Sequence, residues 1–179
     1  MSQIARTFDV ADRPDYSNFA LAAGTGRRQP MHGFDADYVD IVDYIVRCTH
    51  KIWEEKAIGL IDTHYAHNIL VHTGNGGTMY GQEAVVAHTL QRISGLADRR
   101  LYADDLIWSG NETDSFYTSH RLYTVGRHTR HTALGPPTGR RFLLIGMSHH
   151  TIQGGQIVKE WTVFDESELL KQLYGQVEA

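Results

Sequence analysis

The chain has 179 residues, 41% of them hydrophobic and 21% charged, with three Trp, nine Tyr and six Phe; this composition suits one ordinary globular domain and excludes an intrinsically disordered chain. Its formal net charge is -4, and its basic residues are scattered, with nothing longer than pairs such as Arg27-Arg28, Arg99-Arg100 and Arg140-Arg141, which argues against a nucleic-acid partner. The one cysteine excludes an intramolecular disulfide and a cysteine-built zinc site, and the absence of a signal-peptide pattern or of a run of about 18 apolar residues predicts a cytoplasmic protein that spans no membrane.

Residues 1–34 carry Pro and Gly breakers and no sustained period, yet they include Ile4, Phe8, Val10, Tyr16 and Phe19. An arm packed on a partner subunit is expected there, followed by a single domain over residues 35–179. Over residues 37–55, Tyr38, Ile41, Val42, Ile45, Val46, Thr49 and Ile52 recur at helical spacing and predict an amphipathic helix that buries Cys48 as a structural thiol. A second, short helix fits residues 54–65. Two short strands fit "NILVHTGNGGTMYG" around its glycine-rich turn, and a third helix fits residues 81–97, ending near Gly95.

The remainder alternates as strands over residues 99–110, 114–129, 140–153 and 156–165, with turn signals at Gly110-Asn111, in "LGPPTG" and at Gly154-Gly155. That pattern predicts consecutive antiparallel hairpins, closed by a short helix over residues 167–175 with Gly175 as its stop. About three helices ahead of a strongly bent antiparallel sheet form an α+β layer arrangement. Half-wrapped around a helix, such a sheet encloses a conical pocket.

Several side chains have chemistry to offer that pocket. Strand alternation puts Ile157, Lys159, Trp161, Val163 and Asp165 on one face of the last strand, unless a bulge reverses the parity. Trp161 is then either a wall against which a flat ligand stacks or a core aromatic. Asp165 followed by Glu168 also reads as a helix N-cap with capping-box spacing. Eleven histidines stand out: His72 follows an apolar run, His120 sits inside "FYTSHRLY", and His149 and His150 point to opposite faces of a regular strand, so that one of them meets the cavity. An imidazole there polarises a substrate carbonyl or stabilises an enolate. Tyr102, Tyr117 and Tyr123 are candidate oxyanion donors.

Other chemistries find less support. His64 with His67, His67 with His72, and His128 with His131 recur at short intervals, but no His-Glu-x-x-His helix or completing carboxylate set accompanies them, so no metal is expected. "GNGGT" lies between strands rather than at a helix start, which makes it a turn and not a phosphate cradle. "GMSHH" lacks a nucleophile-elbow pattern.

The stretches "PPTGRR", "GGQIVKEW", the Asp four residues after that Trp, and "LLKQLYG", in the order helix, helix, strand pair, helix, long hairpins, resemble the SnoaL-like polyketide cyclase branch of the nuclear transport factor 2 superfamily. The resemblance covers residues 37–175 and leaves the N-terminal arm without a counterpart. It implies an NTF2-like (cystatin-like) cone, a homodimer formed through the open face of the sheet, and no cofactor. In the family's cyclases an Asp near the end of the last strand is the acid/base of an aldol ring closure, and Asp165 is the position that matches. A carboxylate at the mouth of an apolar cavity is disfavoured in its charged form, which suits proton exchange with a carbon acid. The expected function is therefore binding of a small hydrophobic, carbonyl-bearing or polycyclic molecule with acid/base catalysis, as a lyase or isomerase. Asp165, His120, His149 and His150 are its candidate catalytic residues, and His72, Trp161, Tyr117 and Tyr123 its candidate substrate contacts. Because the fold hosts many functions, two alternatives stay open: a dehydratase or isomerase using a His/Asp pair, as in the scytalone dehydratase and ketosteroid isomerase branches, with His120 as the main base, and a binding module that is not an enzyme.

Overall fold

The structure, a computed structural model, describes residues 3–6, 29–96 and 98–175. Asp40, in extended backbone, accepts the Asp43 N–H on its Oδ1 at 2.8 Å and so starts helix α1, Ile41–Trp53. The buried Asp43 carboxylate in turn takes the Val39 N–H at 2.9 Å and the Arg47 guanidinium. Ile41, Tyr44, Ile45, Cys48 and Ile52 of this helix form the main core with Ile69, Leu106, Phe116, Ile152 and Ile157 from the strands. Burial on almost every side makes α1 the axis around which the sheet wraps, rather than a helix lying on a surface.

After α1 come α2, Leu60–His64, strands β2, Tyr65–Thr73, and β3, Thr78–Tyr80, and helix α3, Gln82–Gly95. Four long strands follow: β4, Arg100–Asn111, β5, Ser115–Arg127, β6, Arg141–Gln153, and β7, Gln156–Phe164. Helix α4, Glu166–Tyr174, closes the described chain. With β1, Gln3–Arg6, these strands make one curled, unclosed sheet in the order β1-β4-β5-β6-β7-β2-β3. This is the α+β cone expected. One neighbour relation lies outside any hairpin reading: β2 pairs parallel with β7. No described helix is long and apolar enough to cross a membrane.

The arm expected over residues 1–34 falls largely on residues outside those described. Met31 and Phe34 are buried in the main core, and β1 pairs antiparallel with β4.

Bulges aim the strands. In β4 the register slips between Asp104 and Ile107, where Asp105 takes a positive φ of 48°. In β7 it slips between Ile157 and Lys159, which pair with Ile152 and Thr151. The second bulge decides the site: beyond it Glu160, Thr162 and Phe164 face inward, and Lys159, Trp161 and Val163 face outward.

The turn between β6 and β7 is tied to the helical layer. Tyr44 Oη donates to the Gly155 carbonyl at 2.8 Å. At Gly155, with φ +80°, any Cβ would collide with the Gly33 carbonyl, so only glycine fits. Gly146 in β6 plays a comparable part, because a Cβ there would overlap the Phe164 ring and come within 2.6 Å of the Val163 carbonyl. Gly146→Val is therefore expected to push Phe164 off β6 and to cost about 1–3 kcal/mol, readable as a lowered denaturant midpoint; an unchanged midpoint would remove this constraint.

Candidate active site inside the cone

Strand register stacks the inward side chains of β5, β6 and β7 in successive rungs. Phe116, Ile152 and Ile157 form the apolar floor. Above it lies a rung of Thr118, His150 and Glu160, then one of His120, Ser148 and Thr162, then Leu122, Gly146 and Phe164. Two polar rungs thus sit between apolar ones, and they open on a cavity of about 150 Å³. Its other walls come from Trp53 of α1, Tyr65 and Val71 of β2, and Val85, His88 and Arg92 of α3.

The polar rungs form one connected group. Glu160 Oε2 accepts the Tyr65 hydroxyl at 3.2 Å, and Oε1 accepts the Thr162 hydroxyl. Because Thr162 donates its proton to Glu160, Ser148 donates to Thr162, which orders a chain from Ser148 through Thr162 to the carboxylate. His150 Nδ1 meets Thr118 Oγ1 at 3.2 Å, and its Nε2 lies 3.8 Å from Glu160 Oε2. The rings of His120 and His150 stack with centroids 5.3 Å apart and planes inclined by 15°.

Burial sets the protonation of these groups. It raises the Glu160 carboxyl above its ordinary range, although the Thr162 and Tyr65 hydrogen bonds and His88 pull the other way. It lowers His150 to about 3, helped by the neighbouring His149, and holds His120 well below its usual value, helped by His150 and His149. His88 is also lowered by burial, then by Arg92. Near neutral pH the cavity thus contains neutral imidazoles beside a carboxyl group of raised proton affinity, and the 3.8 Å contact between His150 and Glu160 is not an ion pair.

His120 is 2% exposed, and its Nδ1 has no hydrogen-bond partner among the described residues. A buried donor left unpaired costs more than an acceptor. The favoured tautomer therefore carries its proton on Nε2, with Nδ1 as the unfilled acceptor.

Of the residues singled out in the sequence, the structure brings His120 and His150 together on the cavity wall. The others lie elsewhere, for physical reasons. Asp165 is exposed, and its Oδ1 accepts the Glu168 N–H at 2.9 Å as the N-cap of α4; it does not line the cavity. Its neighbour Glu166 does, at the mouth, 3.6 Å from Arg92. Trp161 lies on the outer face because the β7 bulge reverses the alternation, and there it stacks on His72, 5.4 Å between centroids. His149 takes the outer side of β6, opposite His150, and with Tyr117, Trp161 and Val163 it lines a shallow outer groove. Tyr123 falls on that face too, in register with Ile145. Among the described residues no group of three or more His, Cys, Asp or Glu side chains converges as a metal-ligand set.

Glu160, Tyr65, Ser148, Thr162, Arg92 and Arg99 are cavity residues that the sequence pattern did not single out. For Glu160 a signal existed: in "QIVKEWTVFD" two adjacent charges precede Trp161, and in a strand covered by helices one of them faces inward.

The family described as SnoaL-like polyketide cyclase matches residues 43–173 of this chain. Solved structures similar to it include IdmH from Streptomyces antibioticus, a candidate polyketide cyclase, at 19% identity and TM-score 0.62, covering 74% of this chain and 96% of that one. TsrD from Streptomyces laurentii aligns at 21% identity and TM-score 0.63, over 75% and 96%. AclR from Streptomyces galilaeus, a candidate hydroxylase, aligns at 16% identity and TM-score 0.61, over 75% and 95%. At these identities the structural likeness speaks for the fold. No curated protein sequence matches the chain.

Proposed function

We propose, because the chain belongs to the SnoaL-like polyketide cyclase family, that its cavity binds a largely apolar, carbonyl-bearing molecule of polyketide type and catalyses proton transfer at the carbon beside a carbonyl, as in an intramolecular aldol cyclisation. The observation that carries this reading is a carboxyl group, Glu160, enclosed with two stacked neutral imidazoles between apolar rungs.

The reaction follows from that arrangement. Ionised Glu160 takes a proton from the ligand carbon, and the C–H electron pair passes into an enolate. His120, with its proton on Nε2, donates a hydrogen bond to the enolate oxygen. The enolate carbon then bonds to a second carbonyl carbon, and the proton held by Glu160 returns to the alkoxide so formed. Tyr65 and Thr162 hold the carboxylate in place through both steps. His150, fixed by Thr118, keeps the His120 ring stacked and in position. In this reading Asp165 serves α4 as a cap, and the acid/base role belongs to Glu160.

Deuterium uptake tests the reading without knowledge of the natural substrate. In D2O the protein is expected to speed exchange of the acetyl protons of 2-acetylnaphthalene, followed by NMR, above the buffer rate. Binding of the ketone without faster exchange would make the protein a binding module, and no binding would remove the ligand class.

The outer face supports a homodimer reading. Tyr117, Leu143, Ile145, Met147 and Val163 are each at least 42% exposed on adjacent strands, a contiguous apolar surface of the kind monomers rarely leave open. Pairing of two copies through this face is expected, so a Met147→Glu, Val163→Glu double variant should sediment as a monomer where the wild type sediments as a dimer. A monomeric wild type, or an unchanged dimer in the variant, would contradict it. The lone buried Cys48 suits a reducing, cytoplasmic setting.

A further inference from the structure

Arg99 lines the same cavity. It is 6% exposed, and its Nε and Nη2 have no hydrogen-bond partner among the described residues. Those two nitrogens form the side-on edge of a guanidinium, the edge that grips a carboxylate through two parallel hydrogen bonds. The guanidinium carbon lies over the Trp53 ring, 4.5 Å from its centroid.

The neighbouring acids are already engaged. Glu54 takes the Arg100 Nε at 2.6 Å and the Leu101 N–H. Glu166 pairs with Arg92 at 3.6 Å, and Asp98 accepts the Arg127 N–H at 3.4 Å. Arg99 is the cation these groups leave over. A buried guanidinium with its fork unfilled is costly, and a ligand anion would remove that cost.

Arg99 adjoins Gly126, where a Cβ would lie 3.2 Å from the Arg99 Cα. Gly126 lies six residues further along β5 than His120, about 20 Å of strand. Arg99 and the Glu160 group are thus set apart along the cavity, with a functional-group gap shorter than that backbone distance because the Arg99, His120 and Glu160 side chains all reach into the same space.

We infer that the ligand carries a carboxylate that draws the Arg99 guanidinium round to meet it, pairing the Nε and Nη2 donors that are closed off and unpartnered in the free protein, with its reacting carbonyl directed toward Glu160 and His120. The inference rests on the functional reading above and narrows its ligand to a carbonyl-bearing aromatic acid, as opposed to its ester.

6-Acetyl-2-naphthoate and its methyl ester test this, since each carries a ketone at one end and differs only at the other. Calorimetric titration of the wild type is expected to show the acid binding roughly 10- to 100-fold tighter than the ester, the worth of one bidentate charge-assisted contact. Arg99→Met, which keeps the packing on Trp53, is expected to erase that preference with no loss of thermal stability in the free protein, and Arg99→Lys to restore part of it. Equal affinity for acid and ester in the wild type overturns the inference, as does a preference that survives in Arg99→Met, or a lowered Tm of that variant without loss of the preference. Acetyl deuteration of the same compounds keeps the two readings apart. An acid that binds through Arg99 without exchanging upholds the seat and sinks the catalytic reading; exchange without acid preference does the reverse. If neither compound binds, both fall.

Discussion

Glu160→Gln is expected to lower the rate of acetyl-proton exchange by about 10²- to 10⁴-fold, the usual contribution of a positioned acid/base group, while binding of the ketone persists. The amide keeps the size of the carboxyl; its one oxygen can still accept the Thr162 hydroxyl, and its NH2 can donate to the Tyr65 hydroxyl oxygen, which reverses that bond without unpairing it, so the fold should survive. What it loses is the ability to hold a proton taken from carbon. Asp165→Asn should behave in the opposite way. Asn caps a helix about as well as Asp, and the cap is the contact the Asp165 side chain makes, so both stability and exchange are expected to stay near wild type. Loss of exchange in Asp165→Asn with full exchange in Glu160→Gln would return the chemistry to the mouth of the cone.

Acid should destabilise this protein below about pH 6.5, the ordinary histidine value. His150 is held to about 3 in the folded chain, whereas the unfolded chain takes up that proton near 6.5. Between those values the unfolded state binds more protons, so stability falls as pH falls, and the penalty is complete below about pH 3. For His150 alone it amounts to something on the order of 5 kcal/mol. His120, also lowered by burial, adds in the same direction. Glu160 acts oppositely: its folded-state proton affinity is raised, so the folded chain takes up its proton first and gains stability as pH falls from that raised value toward the ordinary carboxyl value. Two histidines against one glutamate leave a net loss. Urea unfolding at steps from pH 7 to pH 4 is expected to show a declining free energy, and the decline should be shallower in His150→Gln. A flat profile in the wild type would mean that the imidazoles reach solvent and charge inside the folded protein.

Much of the architecture was legible in the sequence because it rests on periodicity. The apolar spacing of Tyr38, Ile41, Ile45 and Ile52 marks α1, and Gly154-Gly155 separates β6 from β7. Alternation also settled that one of His149 and His150 faces the cavity, though not which. The site was less legible for two reasons. A bulge adds one residue without a composition signal, so the reversal that turns Trp161 out and Glu160 in leaves no trace in "QIVKEWTVF". And Arg99-Arg100 reads as a solvated basic pair until Glu54 is seen to take Arg100 and the Leu101 N–H, which leaves Arg99 over Trp53. The parallel pairing of β2 with β7 is likewise a long-range event that no local pattern encodes.

Each of these expectations depends on a carboxyl group and two imidazoles being shut away from water at the same place. Titration of ¹³C-labelled Glu160 and ¹⁵N-labelled His120 and His150 by NMR measures this directly. The expected result is a Glu160 carboxyl that titrates above 4.5 and imidazoles that stay neutral well below pH 6.5. A Glu160 that titrates at or below 4.5, with both rings charging near pH 6.5, would contradict it.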